Sequence, residues 1–150
     1  MAKYLSKTAA GQVPCMSLMS ALVAGLLFEF STPAAALATG DIIVMGPVEP
    51  GAQPVDVTLI TDDLDTGGTL TLAVGILNAA QTDIDAAATA TWIAANAVGQ
   101  TGGTARATTA NCYLSGRASV TRQLGVKVVA GAAGSTGAGK KVAVLLHAAG

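Results

Sequence analysis

Charge is scarce in this 150-residue sequence: Asp, Glu, Lys and Arg together make up 11% of it, against roughly 25% in an ordinary soluble domain. So thin a charged coat, with a net charge of -1, supplies little repulsion between copies and favours association. Aromatic residues are rarer still, at 3%. The 51% hydrophobic content is mostly Ala, Val and Leu beside 18 glycines, a core material that is light per residue. Extra buried area gained in an assembly is the natural complement to such a core. Long apolar runs are also missing. A membrane-spanning helix needs about 20 apolar residues, and the best stretch, 18–30, is interrupted by Ser20, Gly25 and Glu29. At this length one domain is expected.

Histidine occurs once, as His147. No Ser-His-Asp set can be built without it, and a lone His near the end of an apolar run is a surface or interface residue more often than a base. Cys15 and Cys112 are far apart and have no metal-ligand spacing. Two small buried thiols are expected, with a disulfide between them as the alternative. Six scattered basic residues in the second half, without aromatic partners or a known module, give no nucleic-acid footprint.

Two motifs imitate sites. Gly134-Ser135-Thr136-Gly137-Ala138-Gly139-Lys140 has the G-x-x-x-x-G-K spacing. A phosphate-binding loop continues with Ser or Thr and then a helix, whose N-terminus faces the phosphates. Here Lys141 follows, and Val142-Ala143-Val144-Leu145-Leu146 reads as a strand. Asp62, Asp63 and Asp65 suggest a calcium loop, but counting from Asp63 the twelfth position is Val74 instead of a bidentate Glu. A turn in which Asp side chains accept from nearby backbone amides is the stronger reading, with an adventitious cation as the other. No catalytic, cofactor-binding or metal-ligating residue is assigned, no cofactor is expected, and the chain is read as a non-enzyme.

Strand signals recur at short spacing. Residues 22–31 read as a strand, and Ile42 to Met45 as a brief run closed by Gly46-Pro47. The stretch 47–54 carries three prolines and reads as a loop. Residues 55–61 and 69–76 alternate apolar and polar and read as a hairpin across the polar turn 62–68. Residues 83–96 are expected to begin as a helical turn and enter a strand near Trp92. Residues 104–109, 119–130 with an irregularity at Gly125, and 142–147 complete the set, while 111–116 reads as a loop. About eight strands with little helix predict an all-β antiparallel sandwich, an eight-stranded jelly roll. Residues 1–20 lack a core pattern and are expected to form an extended N-terminal arm, with 21–150 as the sandwich domain.

All nine acidic residues lie between Glu29 and Asp85, and six of the eight basic ones lie beyond Ala86. A bipolar molecule is one consequence, an even surface made by interleaved strands the other. The N-terminus also imitates a secretory signal, with Lys3 and Lys7, an apolar run over 18–28 and a small-x-small site at Ala36-Leu37-Ala38. Glu29 between two phenylalanines fits a strand better than the end of such a run, so retention of the segment is expected.

The stretch Val55-Asp56-Val57-Thr58-Leu59-Ile60-Thr61-Asp62-Asp63-Leu64-Asp65-Thr66-Gly67-Gly68-Thr69-Leu70-Thr71-Leu72-Ala73-Val74-Gly75-Ile76 resembles a segment of small structural proteins of tailed phages. Gly40-Asp41-Ile42-Ile43 before it and Val98-Gly99-Gln100-Thr101-Gly102-Gly103-Thr104-Ala105-Arg106 after it extend the likeness. So do Leu124-Gly125-Val126-Lys127-Val128 and Val142-Ala143-Val144. The family is that of tailed-phage capsid cement, or decoration, proteins of the jelly-roll type, as in a Bordetella podophage. The resemblance implies a virion protein on the outer surface of the capsid, assembled in the host cytoplasm, that cements neighbouring capsomers. Its implied partners are the phage major capsid protein and further copies of itself, as homodimer or homotrimer, with no direct nucleic acid and no membrane. The alternative is a secreted or surface-attached β-sandwich binding module whose signal peptide is cleaved near Ala38.

Overall fold

A side chain that alternates between oil and water along an extended backbone makes a strand with one buried face, and the strands Val23–Ser31 and Gln53–Thr61 do so most clearly. The computed structural model describes residues 1–6, 8–11 and 23–150. Among these residues nine strands run in chain order as β1 (Lys3–Leu5), β2 (Val23–Ser31), β3 (Ile42–Val48), β4 (Gln53–Thr61), β5 (Thr71–Ile76), β6 (Thr91–Asn96), β7 (Gly103–Arg106), β8 (Arg122–Ala130) and β9 (Lys141–Ala149). One short helix, α1 (Asn111–Leu114), and a 3₁₀ turn at Val98–Gln100 interrupt them.

The strands form two sheets, β1-β3-β8-β5-β6 and β2-β9-β4-β7. Four antiparallel pairs are nested one inside another: β2 with β9, β3 with β8, β4 with β7, and β5 with β6. That nesting is a ribbon of paired strands rolled up on itself, the jelly roll expected from the sequence. β1 is an addition to it. It lies parallel to β3, with Lys3 opposite Ile42 and Leu5 opposite Val44.

The segment expected to be an arm therefore begins as a sheet edge. The Ala2 amide donates to Asp41 Oδ1 at 2.6 Å, and the Ser6 amide to the Val44 carbonyl at 2.7 Å. The buried Ser6 hydroxyl donates to the Met45 carbonyl. The ring of Tyr4 tilts against Phe30 with centroids 5.6 Å apart. The rest of that segment, including Cys15 and its conceivable pairing with Cys112, lies outside the described residues.

Between the sheets sits an almost wholly aliphatic core: Val57 and Leu59 of β4, Leu70, Leu72, Leu124, Val126, Val144 and Leu146, with Phe28 and Trp92 as the large members. A smaller cluster, Ile42, Val44 and Leu77, lies apart from it, with Ala9 and Ile84 packed against it. Gly125 makes room for this second cluster: a Cβ there would stand 2.6 Å from the Leu77 side chain. Gly125→Ala is accordingly expected to cost about 1–3 kcal/mol through overpacking, measured by urea denaturation, and Leu77→Ala should relieve part of that clash in the double variant.

Several expectations need correction. Residues 55–61 and 69–76 are not a hairpin: β4 and β5 belong to different sheets, and the Asp-rich turn carries the chain across the sandwich. The strand at Ile42 does not stop before Gly46-Pro47, because β3 continues to Val48 past a bulge in which Met45 is the extra residue. The irregularity expected at Gly125 sits on the partner strand at this bulge, which also permits proline within a sheet. Residues 83–90 form turns and bends rather than a helical turn, held by Asp side chains such as Asp85, whose Oδ1 accepts from the Ala87 amide. Residues 111–116 contain α1 rather than pure loop. Charge is interleaved at two places. Nested pairing lays the acidic first half against the basic second half, so that Asp56 meets Arg106, and Asp83 meets Lys127.

Candidate interaction surfaces

One end of the sandwich gathers the loops 32–41, 62–70, 97–102 and 131–140, and Asp65 ties two of them together. Its carboxylate is buried. Oδ1 accepts from the amides of Gly67 and Ala133 at 3.0 and 2.9 Å, and from that of Gly134 at 3.3 Å. Oδ2 accepts from the amides of Thr69 and Leu70 at 2.6 and 2.8 Å, and from the Thr69 hydroxyl at 3.3 Å. Burial alone would raise its pKa, but the amide donors of Gly67, Leu70, Thr69 and Gly134 outweigh it and hold the carboxyl well below the usual range. With both oxygens filled by N–H and O–H donors, Asp65 is an amide staple.

Its neighbours serve the same junction. Asp62 Oδ2 accepts from the Lys141 amide at 2.7 Å, and the Thr136 hydroxyl donates to the Asp63 carbonyl at 2.6 Å. The 32–41 loop joins through the Gly139 amide to the Thr32 carbonyl and the Ala132 amide to the Leu37 carbonyl. The 97–102 loop joins through the Leu64 amide to the Gly99 carbonyl and Gln100 Nε2 to the Leu70 carbonyl. The G-x-x-x-x-G-K stretch is thus the β8–β9 connection, followed by strand β9. No helix N-terminus stands behind it.

The opposite end carries the connections 77–90 and 107–121, together with the short turn 49–52. Between them lies a cavity of about 390 Å³ lined by Ile76, Leu77, Gln81, Asp85, Ala87 and Arg122, among others. Tyr113, Leu114 and Val120 are 58%, 60% and 65% exposed on the same connection. Among the described residues Arg117 and Arg122 bond only to backbone carbonyls: Arg117 to Gly51 and Gly150, Arg122 to Ser115 and Gly116. Burial lowers the pKa of Arg122, a tendency the nearby Cys112 partly opposes. Neither the exposed trio nor the arginines had a sequence signal beyond the length of the connection.

The two outer sheet faces differ. The second small cluster is set off by Leu77 and Ile84 of the 77–90 connection and by Ala9, which pack on strand β3. The outward side chains of β2-β9-β4-β7 form a row-by-row lattice in which Leu145 pairs with Leu27 on one side and Thr58 on the other. Val23 and Leu27 are more than half exposed there. β2 pairs with β9 along all nine of its residues without a register shift, and among the described residues nothing pairs with its other edge. It holds no Pro or Lys of the kind that blunts free edges.

The remaining sequence candidates are inert or isolated. His147 points outward on β9 between Gly25 and Asp56. Among the described residues no group of three His, Cys, Asp or Glu side chains could hold a metal ion, and no helix is long and apolar enough to cross a membrane. Cys112 is a buried thiol on α1 with no disulfide partner among the described residues, its pKa pushed up to about 12 by burial, with the charge of Asp56 adding to the shift and that of Arg122 opposing it. Iodoacetamide at pH 8 is therefore expected to leave Cys112 unmodified in the folded protein and to alkylate it in urea, as peptide mass spectrometry would show.

No family model matches the sequence, and no curated protein matches it. Among solved structures, a chain from the capsid of Ralstonia phage GP4 is 37% identical, covers 99% of this chain and 97% of its own, and superposes with a TM-score of 0.80. A chain from the cyanophage Pam1 capsid asymmetric unit shares the fold at 22% identity and a TM-score of 0.64, over 92% of this chain and 91% of its own. At that identity over essentially the whole length of both chains, this jelly roll belongs to the phage capsid protein family of the GP4 chain.

Proposed function

We propose that the protein is a structural component of a tailed-phage virion that binds the outside of the capsid shell and cements neighbouring capsomers of the major capsid protein. The observation that carries this reading is the full-length kinship with a chain from a phage capsid. The molecule is suited to it. Its charged fraction is 11%, its β2-β9-β4-β7 face presents Leu27 and Val23 to solvent, and its β2 edge has no paired strand among the described residues. Homodimers or homotrimers would multiply individually weak contacts to a closed lattice, so that avidity replaces a single strong interface. In this reading residues 21–150 are the sandwich that makes these contacts, with β1 of the first twenty residues added to its edge.

The test is binding of the purified protein to shells of its phage from which it has been stripped. Wild-type protein is expected to rebind and to raise the temperature at which shells rupture. Leu27→Asp, at a solvent-facing position, should leave Tm within about 2 °C and lower shell occupancy at least about tenfold by placing a charge in the contact. Wild-type protein that fails to bind stripped shells overturns the reading.

A further inference from the structure

We propose that the cavity at the 77–90 and 107–121 end is a receptor for an acidic side chain, Glu or Asp, carried by an extended segment of the protein partner. The inference rests on the virion reading for the partner's being a capsid protein; the chemistry of the cavity stands by itself. A volume of about 390 Å³ is that of a small-ligand or side-chain pocket. Its walls combine Ile76, Leu77, Ala87 and Ala90 with a single cationic group, Arg122.

Arg122 is poorly compensated. Its Nη1 and Nη2 donate to the carbonyls of Ser115 and Gly116 at 3.1 and 2.8 Å, and its buried Nε has no partner among the described residues. No carboxylate pairs with it among the described residues, and residues 7 and 12–22 contain no Asp or Glu to supply one. A half-buried guanidinium held by neutral dipoles alone gains most from an incoming anion, and its planar fork suits a carboxylate. Asp85 lines the same cavity but spends Oδ1 on the Ala87 amide at 2.9 Å, and its charge opposes the incoming acid.

A protein segment fits better than a free small acid because exposed apolar residues adjoin the lining residues in the chain. Leu114 and Val120 are the chain neighbours of the lining residues Ser115 and Thr121, and with Tyr113 they stand largely exposed. Exposed aromatic and aliphatic residues on the same connection as an arginine have the composition of an interface centre.

The experiment has two arms. In the first, ¹H–¹⁵N spectra of the whole protein are titrated with N-acetylglutamate and with its neutral isostere N-acetylglutamine. N-acetylglutamate is expected to shift the Arg122 side-chain signals saturably at about 1–10 mM, as befits one side chain removed from its segment, and N-acetylglutamine to shift nothing. Asp85→Asn should tighten the first interaction severalfold, while Ala87→Leu, which fills the cavity and keeps Arg122, should abolish it. In the second arm, stripped shells are offered Ala87→Leu and Arg122→Met; each is expected to lose at least about tenfold in occupancy relative to wild type. Ala87→Leu protects the test should Arg122→Met loosen the 115–116 turn. Wild-type binding to shells with no response to N-acetylglutamate, or with Ala87→Leu as good as wild type, overturns the pocket and leaves the virion role standing. Micromolar binding of free N-acetylglutamate would overturn the protein segment in favour of a small-molecule site. Failure of the wild-type protein on shells, with the titration intact, would count against the virion reading and the capsid identity of the partner alone.

Discussion

Asp65→Ala is expected to lower stability by about 3–5 kcal/mol, because it leaves five backbone amides in two loops without their acceptor, and hydrogen bonds to a charged group are the costly ones to lose. For a chain of this size that is roughly a 10 °C fall in Tm, read by calorimetry. Asp63→Ala, at an exposed neighbour, should cost under about 1 kcal/mol. The same carboxylate gives the protein an acid limit. Its pKa in the folded state lies below the ordinary aspartate value, so its contribution is complete above about pH 4, the unfolded value. It is lost as the pH falls from there toward the depressed folded value, where the unfolded chain binds the proton first. Asp65→Asn should flatten that part of the stability curve, with the two proteins converging at the acid end. The salt-bridged Asp83, whose pKa is lowered chiefly by its bond from Lys127, adds a weaker slope of the same sign, since exposed pairs contribute little.

Phe28→Ala should be comparably damaging, at about 3–5 kcal/mol, because the core has few large side chains to close around a void. Phe28 of β2 is 2% exposed and lies over the β3 bulge, where a Cβ on Gly46 would stand 2.6 Å from its ring. The bulge and the ring are therefore mutual requirements. Gly46→Ala should destabilise the wild-type protein through that clash, yet cost much less in the Phe28→Ala background, where the space exists. Urea melts of the four proteins give the coupling energy directly. Additive effects would show that the bulge is shaped by something other than the ring.

Period-two alternation made most strands legible: Val55 to Thr61, Thr69 to Ile76 and Val142 to His147 all read correctly as strands, and their number pointed to a jelly roll. Pairing was another matter. Asp62 to Gly68 has the composition of a hairpin turn, and nothing local reveals that Asp65 turns inward to accept amides from Ala133 and Gly134, nearly half the chain away. The proline at position 47 argues for a loop until the Met45 bulge is known. The first strand, Lys3 to Leu5, is too short to alternate and exists because β3 and Asp41 are there to receive it. The cavity at Arg122 was illegible for the same reason: its walls come from two connections whose meeting depends on the roll of the whole sheet.

Nested pairing has a consequence for synthesis. β9 is the middle strand that joins β2 to β4, so that sheet cannot close until residues 141–149 have left the ribosome. Until then β2 and β4 are unjoined and the core side chains of both stay open to solvent. Shape arrives late and all at once, with long-range closures of the kind that fold slowly. A broken or half-made chain therefore has no finished β2-β9-β4-β7 face to offer a growing particle, and completeness of the polypeptide is checked by geometry before anything can be built with it.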